Sequence, residues 1–119
     1  MRVAGKIALV TGGAGGIGKA CAQALEREGA IVFASDIQGE APADLGSCTY
    51  LSHDVTSADG WDRVVADIIA RHGRLDIFVH CAGIEGSHTE RGLATGEAEW
   101  NRVIGVNLTG TFLGCKAVF

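Results

Sequence analysis

The residues with the clearest chemistry in this sequence lie in Thr11-Gly-Gly-Ala-Gly-Gly-Ile-Gly18, directly after a short apolar run. Glycine tolerates positive φ and lets a ligand approach a backbone that carries no Cβ. A helix starting at such a turn offers unpaired N–H groups and the positive end of its dipole, which together suit a diphosphate. Three templates compete for the segment. Gly13-x-Gly15-x-x-Gly18 satisfies the general dinucleotide fingerprint. Gly13-x-x-x-x-Gly18-Lys19 approaches the nucleotide-triphosphate loop, but that loop needs Ser or Thr next to hold magnesium, and this chain has Ala20. Thr11-Gly12-x-x-x-Gly16-x-Gly18 is the third and most restrictive pattern, with Ile17 between its last two glycines.

The second half of a dinucleotide site is expected at Asp36, 18 residues after Gly18. An acidic residue about 20 residues beyond the loop accepts hydrogen bonds from the adenosine ribose hydroxyls. A carboxylate there repels a 2′-phosphate, position 37 is Ile, and no basic residue lies near the ribose end of the motif. NAD is therefore expected rather than NADP. A nucleotide triphosphatase is disfavoured by Ala20 and by the lack of an Asp after an apolar strand to serve as a second metal ligand; Asp76 precedes its strand.

These residues need elements to hold them. Lys6 to Val10 reads as a strand buried on both faces, as in a parallel sheet. Ile17, Cys21, Ala24 and Leu25 recur at helical spacing, and Gly29 is placed to stop that helix. Ile31 to Ala34 is a second buried strand closed by Ser35-Asp36, and residues 37 to 47 form a polar loop around Pro42. Cys48 to Leu51 is a weaker strand suited to a sheet edge. Trp61, Val64, Val65, Ile68, Ile69 and His72 predict an amphipathic helix, with Asp67 and Arg71 paired on its other side and Gly73 at its end. Leu75 to Cys81 is a fourth strand. After a polar loop, Trp100, Val103, Ile104, Leu108, Thr111, Phe112 and Cys115 mark a last helical stretch, in one helix or two. Alternating strands and helices predict an α/β, Rossmann-like, doubly wound parallel sheet.

Bulk properties narrow the function classes. A chain of 119 residues is one small domain, and its net charge of −4 offers no basic surface for nucleic acid. Its apolar runs, such as Ile7 to Val10, fall far below the roughly 18 residues of a membrane span, and no signal peptide is expected. Cys21, Cys48, Cys81 and Cys115 form no Cys-x-x-Cys pair and are expected to be free buried thiols in a reducing, cytoplasmic setting. No metal is expected: His80 and Cys81 are adjacent on a strand and so point to opposite faces.

With these residues placed, the chain resembles the short-chain dehydrogenase/reductase family over essentially its whole length. Thr11, Gly12, Gly16 and Gly18 match that family's Thr-Gly-x-x-x-Gly-x-Gly loop. Asp36 matches its NAD-selecting acid, Asp54-Val55 the pair that brackets the adenine, and Ala82-Gly83 the end of its Asn-Asn-Ala-Gly motif. Asn107, within Val106-Asn-Leu-Thr-Gly110, matches the asparagine of the catalytic tetrad. The resemblance thus implies cofactor contacts at Thr11, Gly12, Gly16, Ile17, Gly18, Asp36, Asp54, Val55, Ala82 and Gly83, and a catalytic role for Asn107. It implies hydride transfer between NAD and an alcohol or ketone substrate, in a complete protein that forms homo-oligomers. His80-Cys81 departs from Asn-Asn, whose amides tie loops to the sheet.

Asn107 also falls on the apolar stripe, where a buried amide must be hydrogen-bonded or costs about 1–3 kcal/mol. It either satisfies local backbone or holds a water of a proton relay. The Ser and the Tyr-x-x-x-Lys of the family's active site are absent; the one tyrosine is Tyr50, and the residue four later is Asp54. Residues 1 to 119 are accordingly expected to be an NAD-binding domain incomplete at its C-terminus, its sheet truncated after about four strands. The fourth strand is then expected to expose an edge. Inactivity follows for the chain alone, with a non-catalytic dinucleotide-binding module as the alternative.

Overall fold

The computed structural model describes residues 1–86 and 94–119. The polar loop ahead of Trp100 falls partly outside the described residues. Four strands, β1 (Ile7–Thr11), β2 (Ile31–Asp36), β3 (Thr49–Ser52) and β4 (Ile77–His80), form a parallel sheet in the order β3-β2-β1-β4. Helix α1 (Gly16–Arg27) links β1 to β2, and α2 (Ala58–His72) links β3 to β4. Helix α3 (Glu97–Ile104) runs through a π-helical turn (Gly105–Thr109) into α4 (Gly110–Val118). The doubly wound α/β fold is as the alternation of elements required. β3 lies at one edge, and β4 lies at the other among the described residues.

The two faces of the sheet differ in the size of their side chains, and this difference positions the site. Successive strand residues point to opposite faces. Ala8, Val10, Val32 and Ala34 pack with Ala22 of α1 in a layer of small residues. Ile7, Leu9 and Phe33 pack with Trp61, Val64 and Ile68 of α2 in a layer of large ones. Small side chains let α1 sit close to the sheet. A Cβ on Gly18 would lie 2.1 Å from the Gly12 oxygen, so only glycine admits this approach.

Local signals account for the helix ends. Ser57 caps α2 by accepting from the Gly60 N–H at 3.0 Å, and Gly73 closes it at φ +75°. Gly29 follows α1 at φ +92°. The expected Asp67–Arg71 pair is present at 3.0 Å.

The helix stripes hold in part. On α1 Gly18 and Ala22 are buried and the expected Cys21 and Leu25 pack against the core, but Ala24 is exposed and Ile17 is 78% exposed. On α2 Ile69 and His72 are exposed at the end of the stripe. The last stretch departs most. Trp100, Leu108, Phe112 and Cys115, expected on the apolar face, are exposed. The face that packs is Val106, Gly110, Leu113, Gly114 and Ala117. A Cβ on Gly110 would lie 3.0 Å from Val55, and one on Gly114 would lie 2.7 Å from the Trp61 ring. Close approach of α4 to α2, rather than side-chain apolarity, sets the rotation of that helix. The fourth strand is also shorter than Leu75 to Cys81, and all four of its residues are only half-buried.

Candidate functional site

β1 ends in a turn that only glycine can make. Gly12 has φ +67°, and a Cβ there would lie 2.8 Å from the Cys81 carbonyl carbon and the Ala82 nitrogen. The turn therefore passes directly over the end of β4. Helix α1 then starts behind Gly15 with no side-chain cap, leaving its first N–H groups without an intrahelical partner. Added Cβ atoms on Gly15 and Gly16 would meet nothing within 4 Å, so these glycines face open space.

That space is a cavity of about 800 Å³ running from the turn across the ends of β2, β3 and β4. Its wall brings together most of the residues the sequence singled out: Gly12, Gly16, Ile17, Gly18, Asp36, Asp54, Val55, Ala82 and Gly83. The exposure that removes Ile17 from the packed face of α1 places it on the cavity. Thr11 does not line it. Fully buried, Thr11 works from beneath: its Oγ1 accepts from the N–H groups of Cys81 and Ala82 at 3.2 and 3.3 Å.

Asp36 closes β2 and touches the turn. Its Oδ2 accepts from the Ala14 N–H at 3.0 Å and its Oδ1 from the Ile37 N–H at 2.8 Å. A carboxylate has about four acceptor sites, so two backbone bonds leave capacity for hydroxyls in the cavity. Asp54 is held in a local turn, its Oδ1 accepting from the Thr56 N–H and Oγ1 at 2.9 and 2.7 Å. Those bonds hold its pKa below the ordinary carboxylate value. The neighbouring Val55 carbonyl accepts from the Trp61 indole at 2.9 Å, anchoring this wall to α2.

His80 and Cys81 split across the sheet as strand alternation demands. His80 joins the large-residue side, near Trp61, with Nδ1 2.7 Å from Thr11 Oγ1. Because that oxygen already accepts two N–H bonds, its own proton is directed to Nδ1, which makes His80 the neutral Nε2–H tautomer. His80 thus ties the strand end to β1 through Thr11, the kind of tie expected from an amide. Burial holds its pKa below the ordinary imidazole value. His53, which no motif pointed to, is 97% withdrawn from solvent: it is 3% exposed, edge-on to Trp61, with Nδ1 3.2 Å from Ser35 Oγ. Burial and the nearby Arg63 charge push its pKa down to about 4. The Nε2 atoms of both histidines are buried without a hydrogen-bond partner. Among the described residues no three His, Cys, Asp or Glu side chains gather as a metal would require.

Asn107 lies in the π-helical turn and is exposed rather than buried, a correction to its place on an apolar stripe. Its side chain does not bond to local backbone. Nδ2 donates to the Ile84 carbonyl and Oδ1 accepts from the Ile84 N–H, both at 2.8 Å. The amide thereby holds the segment leaving β4, beside Gly83. The widened turn, a feature frequent at functional sites, leaves the Asn107 main-chain carbonyl accepting from Thr111 Oγ1 at 2.6 Å. All four cysteines are free, but Cys115 is exposed and the other three are half-buried, so burial is less complete than expected. Cys115 is exposed because the helix is turned away from its expected phase. Among the described residues no helix is long and apolar enough to cross a membrane.

Comparison with known proteins supplies an independent view. The family model described as short chain dehydrogenase matches residues 6–119. The chain is 40% identical over 119 residues to borneol dehydrogenase, mitochondrial, of Lavandula x intermedia, covering 97% of this chain and 46% of that protein. It is 37% identical over 121 residues to secoisolariciresinol dehydrogenase of Forsythia intermedia, covering 97% and 44%. Among solved structures, a short chain dehydrogenase from Mycobacterium smegmatis superposes with a TM-score of 0.87 at 31% identity, covering 98% of this chain and 51% of that one. The chain spans about half the length of the curated relatives it matches.

Proposed function

This chain belongs to the short-chain dehydrogenase family, and on that premise we propose that it forms the NAD-binding part of an oxidoreductase acting on a small alcohol or ketone. One observation carries the choice of cofactor. The Asp36 carboxylate stands in the cavity wall at the end of β2, beside an uncapped helix N-terminus. The open glycines and the free first-turn N–H groups suit a diphosphate, and the carboxylate suits the ribose diol of NAD while repelling a 2′-phosphate. Among the described residues the cation lining the cavity is Arg102, engaged by Glu99 at 2.8 and 3.0 Å.

Bound NAD would supply the hydride-accepting carbon. The chain's own residues bind and orient it. Gly12, Gly16, Ile17 and Gly18 receive the diphosphate, Asp36 the ribose, Asp54 and Val55 flank the adenine, and Ala82 and Gly83 form the wall toward the reacting end. Thr11 fixes that wall from below. Asn107 is assigned to the proton path on the family resemblance; its main-chain carbonyl, which accepts from Thr111 Oγ1, keeps a second lone pair that could hold a water. The hydroxyl of the one tyrosine, Tyr50, donates to the Gln38 carbonyl at 2.6 Å. These 119 residues by themselves are therefore expected to bind dinucleotide without turnover, the reading of a binding module. The exposed Trp100, Leu108 and Phe112 support a homo-oligomer. The free thiols fit a reducing compartment such as the cytoplasm.

Titration with NADH and NADPH, followed by nicotinamide fluorescence, tests the assignment. NADH is expected to bind at least about tenfold tighter, and Asp36→Ser to narrow that ratio. Equal or tighter binding of NADPH by the unaltered chain would overturn it.

A further inference from the structure

Two of the four cysteines converge from distant parts of the sequence. β4 places Ile77 and Val79 on the α1 side of the sheet, and both pack against the small-residue layer there. Cys81, two residues on, continues that alternation. Cys21 lies on α1 one turn beyond Gly18, half-buried against the same layer. The Gly12 turn lies between the elements that carry them, touching Gly18 on one side and Cys81 on the other. Cys21 lies near enough to Cys81 to help hold that thiol above its ordinary pKa. Cys81 also lines the cavity, so a small solute reaches it from there.

We propose that Cys21 and Cys81 form an oxidisable dithiol under the diphosphate turn, closed to a disulfide by a small peroxide that enters through the cavity. The Cys81 sulfur attacks one peroxide oxygen, the O–O bond breaks, and the released hydroxide takes the thiol proton to leave as water. The Cys21 sulfur then attacks the Cys81 sulfenic acid, the S–O bond breaks, and a second water leaves with the Cys21 proton. Two sulfurs are oxidised and one peroxide is reduced. Burial and the neighbouring Cys21 hold the Cys81 thiol above its ordinary pKa, so closure is slow at neutral pH and faster as pH rises.

The bond has a consequence for the turn. A disulfide brings its sulfurs to about 2.05 Å, drawing α1 toward the strand end across Gly12. Since a Cβ on Gly12 would already be 2.8 Å from Cys81 backbone, the turn has no slack to absorb that movement without changing shape. Weaker dinucleotide binding by the oxidised form follows, a consequence that rests on the proposed cofactor reading; the disulfide itself does not.

The test is oxidation of the whole chain by hydrogen peroxide at pH 8, then alkylation, proteolysis and mass mapping. The expected product is a linked Cys21–Cys81 peptide pair two hydrogens lighter than the sum of its parts, reversed by dithiothreitol. NADH affinity is expected to fall at least fivefold on oxidation and to return on reduction. Cys21→Ser, and Cys21→Ala as a second variant should the first fold poorly, are expected to abolish both the linkage and the peroxide-dependent loss of affinity. Recovery of Cys21 and Cys81 as separate alkylated thiols after Cys115 has been fully oxidised would overturn the proposal. So would an equal loss of affinity in the Cys21 variants. Because the mass map does not depend on NADH, failure of the cofactor reading and failure of the dithiol are told apart.

Discussion

β1 and β4 are adjacent strands of similar apolarity, yet one is sealed and the other is not. Ile7 to Val10 are at most 3% exposed, whereas Ile77 to His80 are all half-buried. The difference does not lie in their side chains. β1 is paired on both sides and covered by α1 on one face and α2 on the other, while β4 is paired only with β1 among the described residues. Burial in a parallel sheet is conferred by neighbours, and a strand cannot supply its own. The helices repeat the contrast. At Gly18, α1 is seated against the Gly12 turn with no room for a methyl group, while the stretch from α3 through the π-helical turn to α4 presents Trp100, Leu108 and Phe112 to solvent. The side at the glycine turn is thus closely packed, and the far side leaves large apolar residues exposed among the described residues.

The sharpest way to break this contrast is a methyl group on each side. Gly18→Ala places a Cβ 2.1 Å from backbone that cannot yield, and the expected loss of stability is roughly 4 kcal/mol. Gly105→Ala, where an added Cβ meets nothing within 4 Å, is expected to be neutral or to stabilise by up to about 1 kcal/mol. Urea midpoints read both; similar losses would mean that the two sides are equally tight. Truncation of strand residues comes next. Leu9→Ala is expected to cost about 3 kcal/mol and Val79→Ala about 1 kcal/mol, and a reversed order in the same measurement would show that β4 is covered.

Acid probes the sealed side without mutation. His53 titrates near 6.5 when unfolded and near 4 when folded, so between these values the unfolded chain binds more protons. Stability therefore rises with pH across this window and is lost as pH falls from 6.5 toward 4, by up to about 3 kcal/mol. His80, also lowered by burial, acts in the same direction. His53→Gln is expected to flatten the profile between pH 6.5 and 4.5, as followed by urea unfolding at each pH; an unchanged slope would place the proton uptake elsewhere. The smallest expected effect is on the open side. Phe112→Ser should change stability by less than about 0.5 kcal/mol while lowering self-association, as sedimentation velocity would show. A large stability loss would mean that Phe112 packs within its own chain.

Most of the cavity wall that forms the candidate site was legible before the fold. The loop from Thr11 to Gly18, Asp36 and the Asp54-Val55 and Ala82-Gly83 pairs are short, local patterns. Each is dictated by what a backbone must do where a ligand approaches, and the cavity gathers nearly all of them. His53 and Thr111 carried no such pattern, because their roles come from partners, Ser35 with Trp61 and the Asn107 carbonyl, that share no motif with them. Asn107 was legible as a residue but not in its bond to Ile84, 23 positions away.

The order of strands and helices, the glycine turn and the ends of α1 and α2 were determined by the sequence alone, since periodicity, caps and positive-φ glycines act within a few residues. Which side of a helix meets the core was decided only by tertiary structure. From the π-helical turn into α4 the spacing of Leu108, Phe112 and Cys115 outlines an apolar face, but the face that packs is the one where Gly110 and Gly114 lie against Val55 and Trp61. A helix turns toward the surface that lets it come closest, and that surface is formed by residues some fifty positions earlier in the chain.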